Sequence, residues 1–206
     1  MASLFYQWRK LRPEERKEVL ASRKRLMRPW HSPPHLSSQG LQRYHVTAAC
    51  YEHQSHIGRT PARMDAFSAS LLAEIENAGA SVSAWCVLPN HYHLLLQTAK
   101  IPDLLQTLGR LHGRSAYFWN REDGARGRKV FYRTADRAMR SDRHYWSTLN
   151  YVHNNPVHHG YVEKWADWPW SSAGDFLKSV GEEDAARIWN DFPVLEYGKG
   201  WDDPNL

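Results

Sequence analysis

The sequence has few cysteines and no long apolar run. Its 206 residues include only Cys50 and Cys86, whereas a disulfide framework or a zinc ribbon needs more cysteines at closer spacing. Both lie in apolar, strand-like runs, so we predict two buried free thiols. No segment reaches the roughly 18 apolar residues of a membrane span, and the N-terminus lacks a signal-peptide core. We therefore expect a soluble, cytoplasmic protein.

Internal repeats and low-complexity tracts are also absent. The length fits one domain with appendages, and a composition of 42% hydrophobic and 24% charged residues is typical of a globular protein. The net charge of +5 and the pI near 9.2 give a modest indication of a polyanionic partner. Charge alone does not decide the matter, because many basic proteins bind no nucleic acid.

The positions of proline and glycine residues predict that the chain has three parts. Residues 1–42 form a basic N-terminal arm and linker, in which Pro13 opens a helix that ends before Pro29. Contact with DNA and simple exposure to solvent both remain open for this arm. A domain at 43–177 and a C-terminal tail at 178–206 follow.

The order of predicted elements within the domain indicates an α+β fold. Strands are expected at 44–51, 82–88, 91–98 and 130–134, and helices at 61–77, 102–120 and 142–155. Thr60 is the expected N-cap of the first helix, and Pro156 is expected to end the third. This order predicts an antiparallel sheet of four to five strands with helices packed on it.

Two histidines lie two residues apart in the third predicted strand. Side chains alternate along a strand, so His91 and His93 share one face while Tyr92 points to the other. Two such imidazoles can bind one metal ion, but structural, hydrogen-bonded histidines would give the same pattern.

The third predicted helix adds polar groups along one face. His144, Thr148, Tyr151 and Asn155 follow helical spacing, and the Asn155 amide oxygen is a suitable ligand for Mg²⁺ or Mn²⁺. Tyr151 could attack a phosphodiester and form a 5′-phosphotyrosine, with a metal polarising the phosphate. A structural tyrosine is the alternative from helix position alone.

The two segments together resemble a known family. The stretch 85–96, WCVLPNHYHLLL, is similar to the HUH motif of REP-associated tyrosine transposases, and 149–160, LNYVHNNPVHHG, to the segment around their nucleophile. The sequences YHVT at 44–47 and DWPWSS at 167–172 extend the likeness. The resemblance implies an HUH fold and metal-dependent cleavage of single-stranded DNA beside palindromic hairpins. It implies Tyr151 as nucleophile and His91, His93 and Asn155 as ligands of Mg²⁺ or Mn²⁺. Tyr92 departs from the usual aliphatic residue, without harm if it packs on the far face.

Basic residues are concentrated before the tyrosine helix. Residues 110–143 hold ten basic and four acidic side chains, an excess of six. We predict a phosphate track there, with Tyr117, Phe118, Trp119 and Tyr132 as candidate stacking groups. The predicted DNA-binding residues are Arg110, Arg114, Arg133, Arg137 and Arg140.

Other histidines and other functions stay open. His45 is expected to be structural, with a role as a further ligand as the alternative. Three histidines that flank the tyrosine are expected to be exposed to solvent, with contact to phosphate as the alternative: His153, His158 and His159. A non-catalytic hairpin-binding module and a zinc hydrolase are the competing functions. We expect a monomer near the nucleoid, with a homodimer as the alternative.

Overall fold

The computed structural model describes Arg12, Glu14, Glu15, Lys17, Glu18, Ala21 and residues 40–194. The chain divides into two compact units, residues 1–38 and 39–206. Within the first unit, Glu14, Glu15, Lys17, Glu18 and Ala21 are helical. The rest of the predicted arm up to residue 39 lies outside the described residues, so its role stays a prediction.

Four antiparallel strands form the sheet. They are β1 (Gln42–Ala49), β2 (Ser81–Val87), β3 (His91–Thr98) and β4 (Ala135–Ala138), in the order β2-β3-β1-β4. The β2–β3 hairpin places β3 in the interior of the sheet, where it is paired on both sides. The histidine strand therefore has a fixed register, which a buried strand needs because a slip of one residue would reverse its faces.

Helices cover both faces of this sheet. They are α1 (Pro61–Asn77), α2 (Ile101–Glu122), α3 (Asp142–His158), α4 (Ala173–Val180) and α5 (Glu182–Asp191). The α+β prediction is confirmed. No helix among the described residues is both long and apolar enough to cross a membrane.

The sheet separates two hydrophobic clusters. On one face, Tyr92, Leu94 and Leu96 of β3 pack with α1 and α2. On the other face, Leu95 packs with residues of β2 and with Leu149, Tyr151 and Val152 of α3. Because side chains alternate along β3, His91 and His93 lie on the α3 face. Cys50 and Cys86 are free and buried, as predicted.

The fourth strand lies later in the chain than predicted. Residues 130–134 carry the β-forming side chains, but only Phe131 makes a bridge there, to Cys50, and β4 begins at Ala135. Val130 is buried in the core without belonging to a strand. β4 is an edge strand, so its pairing with β1 rests on backbone hydrogen bonds and needs no apolar run.

Helix α3 continues beyond Asn155 to His158, and Pro156 lies inside it, so the predicted end was wrong. Gly160, two residues after the end of the helix, has a φ of 72° and lets the chain turn away there. The Gly160 and Tyr161 amides donate to the Val157 and Pro156 carbonyls at 3.0 and 2.9 Å, which is a Schellman motif. A proline near the end of a helix removes one hydrogen bond but does not end the helix by itself.

The described part of the predicted tail includes α5. Asn150 of α3 donates its side-chain N–H to the Ile188 and Phe192 carbonyls at 3.2 and 2.9 Å, which ties this helix to the tyrosine helix. The boundaries at 43 and 177 stay predictions, and residues 195–206 lie outside the described residues.

Candidate active site

Asn90 fixes the proton position on the first histidine. Its side-chain N–H donates to the His53 carbonyl at 3.2 Å, so its oxygen faces His91 Nδ1 at 2.8 Å. An amide oxygen only accepts, so Nδ1 carries the proton and, in a neutral ring, Nε2 keeps its lone pair. His91 is 3% exposed. The hydrogen bond that His91 Nδ1 donates to Asn90 thus prepares Nε2 as a metal ligand.

Asn155 faces this lone pair from α3. Its side-chain Oδ1 lies 3.0 Å from His91 Nε2, while its Nδ2 is buried and has no hydrogen-bond partner among the described residues. A rotated amide would let Nδ2 donate to His91. In the present orientation Asn155 Oδ1 and His91 Nε2 are both acceptors, and their close approach is favourable when both bind one cation. Imidazole nitrogen and amide oxygen together suit Mn²⁺ and can hold Mg²⁺.

His45 lies beside the second histidine. The cross-strand contact joins His45 Nε2 and His93 Nδ1 at 3.1 Å, and the two rings stack with centroids 5.1 Å apart. One nitrogen of this pair carries the shared proton. If His93 Nδ1 donates its proton to His45, the lone pair of His93 Nε2 is left to bind a metal. His45 would then orient the His93 ring as Asn90 orients the His91 ring. This position fits the structural role expected for His45.

Tyr151 packs directly on these histidines. Its ring centroid lies 5.1 Å from that of His93 and 5.9 Å from that of His45, both in edge-to-face geometry. The residue is 5% exposed, because α3 packs its apolar stripe on the sheet here. Tyr151 and Asn155 are one helical turn apart, so the same helix brings the candidate nucleophile and the candidate amide ligand to the two histidines.

The site differs from a closed metal cage. Among the residues described, no group of three or more His, Cys, Asp and Glu side chains is arranged to hold a metal ion. Two imidazoles and one amide would leave coordination positions open. Open positions are typical of catalytic metal sites and not of structural ones.

Tyr92, the departure from the family pattern, packs on the far face of the sheet. It is fully buried, and its hydroxyl lies 3.0 Å from Nε2 of His112 on α2. Burial lowers the pKa of His112 to about 4, so the ring is neutral and accepts the Tyr92 proton. This partner could not be predicted from the sequence, because a histidine in an amphipathic helix is equally compatible with an exposed position.

The predicted DNA-binding arginines lie in two places. Arg137 is opposite His45 in the β1–β4 pair, and so lies on the α3 face. Burial first, and then the charges of Arg137 and Arg140, lower the pKa of His144 at the start of α3. These two arginines and Arg133, all exposed, are therefore in the segment that leads to the tyrosine helix.

Arg110 and Arg114 are on α2, across the sheet from Tyr151. Arg110 donates to the Thr107 hydroxyl at 2.8 Å, and Arg114 pairs with Glu74 of α1. The structure does not bring these two residues to the site, and their contact with DNA stays a prediction.

Two histidines near the end of α3 have surroundings that the sequence did not reveal. His153 is 3% exposed, not solvated as expected, because it faces α4, where its Nε2 lies 2.9 Å from the Ser172 hydroxyl. Burial lowers its pKa to about 3. The His159 ring lies 5.0 Å from that of His91, whereas His158 is exposed as predicted. The Schellman turn carries His159 back towards the site.

Comparison with known proteins identifies the family. A REP-associated tyrosine transposase of Haemophilus influenzae is 30% identical over 132 residues, a match that covers 55% of this chain and 68% of the relative. The chain belongs to the REP-associated tyrosine transposases. This family assignment makes it an enzyme of the transposase and endonuclease kind. No family model matches the chain.

A solved structure agrees in fold. The REP-associated tyrosine transposase bound to a REP hairpin superimposes with a TM-score of 0.55 at 17% identity, over 79% of this chain and 88% of that chain. A transposase structure from Deinococcus radiodurans has a TM-score of 0.40 at 18% identity, over 60% of this chain and 97% of that one. The second score is too low to support a conclusion. The first supports the HUH type of α+β fold.

Proposed function

We propose that this chain cleaves and rejoins single-stranded DNA at hairpin-forming palindromic repeats, through a covalent 5′-phosphotyrosine on Tyr151. One arrangement carries the proposal. The ring of Tyr151 packs on His93 at 5.1 Å, while Asn155 on the same helix places its oxygen 3.0 Å from His91 Nε2. A merely structural tyrosine would not need two histidines and an amide oxygen around it.

His91, His93 and Asn155 are the residues that would hold a divalent metal. When bound, Mg²⁺ or Mn²⁺ would polarise the scissile phosphate and stabilise the charge that develops on its oxygens. Asn90 and His45 orient the two imidazoles. The low exposure of Tyr151 excludes bulk water from its ring face and holds the side chain in one place.

The reaction exchanges one phosphate ester for another. The Tyr151 oxygen forms a bond to phosphorus, the bond from phosphorus to the 3′ oxygen breaks, and the phenol proton passes to solvent while the 3′ oxygen takes up a proton. No oxidant or reductant is required. The phosphotyrosine keeps the energy of the broken ester, so a free 3′ hydroxyl can later reverse the step and join strands.

The proposed DNA partner follows from a relative and from charge. The structurally similar transposase is bound to a REP hairpin, and we extend that ligand class to this chain. Arg133, Arg137 and Arg140 would contact phosphates beside the site. We propose a monomer that acts near the nucleoid, with a homodimer as the alternative.

The test is covalent capture. The protein is incubated with Mn²⁺ and labelled single-stranded palindromes from its own genome neighbourhood, then separated on a denaturing protein gel. We expect a labelled protein band with the native chain and none with Tyr151→Phe, because the phenol oxygen forms the covalent bond. Tyr145→Phe, on the same helix outside the site, serves as the matched control and keeps the band.

Other outcomes would favour the competing functions. Tight hairpin binding with an occupied metal site but no adduct from any palindrome would overturn the proposal in favour of a non-catalytic binding module. Stoichiometric, tightly held zinc without salt-sensitive DNA binding would favour a zinc hydrolase.

A further inference from the structure

We propose that Tyr51 and Tyr132, with Lys129 over their rings, form a stacking platform for an unpaired base of the DNA strand that leads to the active site. The proposal rests on the proposed function and assigns a specific place to the single strand. It is carried by the exposure of Tyr132 and Lys129, by the arrangement of the three side chains and by their connection to His91.

The platform consists of two adjacent tyrosine rings and a lysine, with Tyr51 half-buried and Tyr132 exposed. The ring centroids of Tyr51 and Tyr132 are 5.0 Å apart at an angle of 47°. Lys129 Nζ lies 4.3 Å from the Tyr51 centroid and 5.2 Å from the Tyr132 centroid. Tyr132 is 39% exposed, and Lys129 is also exposed. A nucleotide can stack its base on an aromatic ring while its phosphate pairs with an ammonium group next to that ring.

Backbone pairing holds the two rings in place. The Tyr51 amide donates to the Val130 carbonyl at 2.7 Å, and the Tyr132 amide donates to the Ala49 carbonyl at 2.9 Å. Between them, Phe131 stacks on buried His112 with centroids 4.1 Å apart. Neighbouring side chains of an extended segment point to opposite sides. Because Phe131 packs inward against the core, Tyr132 points outward. The exposure of this tyrosine thus follows from the packing of its neighbour.

The platform is connected to the candidate metal ligand. The ring of His53 lies 6.3 Å from that of Tyr132, and the His53 carbonyl accepts from Asn90, whose oxygen faces His91 Nδ1. Glu52 and His53 both have positive φ, 52° and 51°, which is unfavourable for residues with a Cβ. The short segment Tyr51–His53 therefore has an unusual backbone conformation, and its last residue connects the platform to Asn90 and so to the site.

Local charge favours a nucleic acid as the occupant. Residues 126–133 hold four basic side chains and no acidic one. Arg128 pairs with Asp123 at 2.7 Å, whereas the ammonium group of Lys129 lies over the two tyrosine rings. A duplex keeps its bases stacked on one another, so only a single strand offers a base face to this surface.

The other candidate stacking groups do not meet these conditions. Trp119 is 7% exposed and belongs to the core. Tyr117 and Phe118 are exposed but lie on α2, across the sheet from Tyr151. Tyr117 therefore provides a matched control: an exposed tyrosine without a path to the site.

The experiment compares two DNA ligands in the Tyr151→Phe background, where no adduct forms. One is a palindromic hairpin with a single-stranded flank that carries 2-aminopurine, and the other is the same hairpin with a blunt end. We expect Tyr132→Leu and Tyr51→Leu each to bind the flanked hairpin about 5- to 100-fold more weakly and to lose the fluorescence quenching of the stacked base. Tyr132→Phe, which keeps the ring, should retain both properties.

Binding of the blunt hairpin should stay the same in all these variants, and Tyr117→Leu should resemble the parent with both ligands. Equal binding of the flanked hairpin by Tyr132→Leu and Tyr117→Leu would overturn the platform. An equal loss with the blunt hairpin would also overturn it, because the residue would then act on the duplex or on folding. Covalent capture by the native chain tests the proposed function separately, so the two failures are distinguishable.

Discussion

Asn90 is a single residue that joins three parts of the site. Its backbone carbonyl accepts from the Cys50 amide at 2.7 Å, its side-chain N–H donates to the His53 carbonyl, and its side-chain oxygen faces His91. The preceding residue, Pro89, packs so closely on Gly58 that a Cβ atom on residue 58 would lie 2.3 Å from the Pro89 Cβ. Asn90 has little freedom to move, so it can hold the His91 imidazole in one orientation and one tautomer.

We expect Asn90→Ala to weaken Mn²⁺ binding by about 10- to 100-fold, because the imidazole loses the group that orients it. The measurement is calorimetric titration of the protein with Mn²⁺ in the absence of DNA, with circular dichroism to check the fold. Asn154→Ala, a substitution of the residue beside Asn155 on the same helix, is the control and should leave the affinity unchanged. An unchanged affinity in Asn90→Ala would contradict the assigned role.

Among the elements, α3 carries the chemistry and has well-defined ends. Ser141 accepts from the His144 amide at 3.1 Å and caps the start, and Gly160 in the left-handed conformation closes the end. These two ends fix where Tyr151 and Asn155 lie relative to β3. Helix α2 differs, because its exposed Gly109 and Gly113 have open space where a Cβ would be.

Two glycine substitutions should therefore change stability in opposite directions. Gly160→Ala should lower the free energy of unfolding by about 1 to 2 kcal/mol, since alanine is unfavourable at positive φ. Gly113→Ala should raise it by about 0.5 to 1 kcal/mol, since alanine loses less backbone entropy in a helix. Urea unfolding followed by circular dichroism measures both, and a stabilising Gly160→Ala would show that the Schellman turn is not retained.

Local patterns predicted the elements whose periodicity and caps are strong. The run at 91–98 after the short Pro89-Asn90 link identified β3, and the geometry of a strand gave its two faces; Thr60 with Pro61 identified the start of α1. β4 was misplaced because the pairing of an edge strand depends on its partner, β1, and not on its own side chains. Pairs such as Tyr92 with His112 and Asn90 with the His53 carbonyl could not be predicted, because they join segments that come together only in the fold.

On the scale of the whole molecule, the sheet separates a sealed core from the site. On one face Tyr92 contacts His112 of α2, and on the other face His91 and His93 lie against α3, which carries Tyr151 and Asn155. A second buried histidine, His153, lies between α3 and α4. His112 and His153 both have lowered pKa values, about 4 and about 3, and burial is the cause in each case. The fold therefore requires both rings to be neutral.

This requirement predicts that the protein loses stability in mild acid. In the unfolded chain each ring has the ordinary histidine pKa of about 6.5. Below that pH the unfolded state binds more protons than the folded state does, so unfolding becomes easier as the pH falls. Each ring contributes a slope of about 1.4 kcal/mol per pH unit, and for His112 this slope ends near pH 4. Urea unfolding at several pH values between 7 and 4.5 measures it. His112→Leu should be less stable than the native chain at pH 7, because Tyr92 loses its hydrogen-bond acceptor. Its free energy of unfolding should nevertheless fall less steeply as the pH is lowered. The same slope in both proteins would mean that His112 is already protonated in the fold.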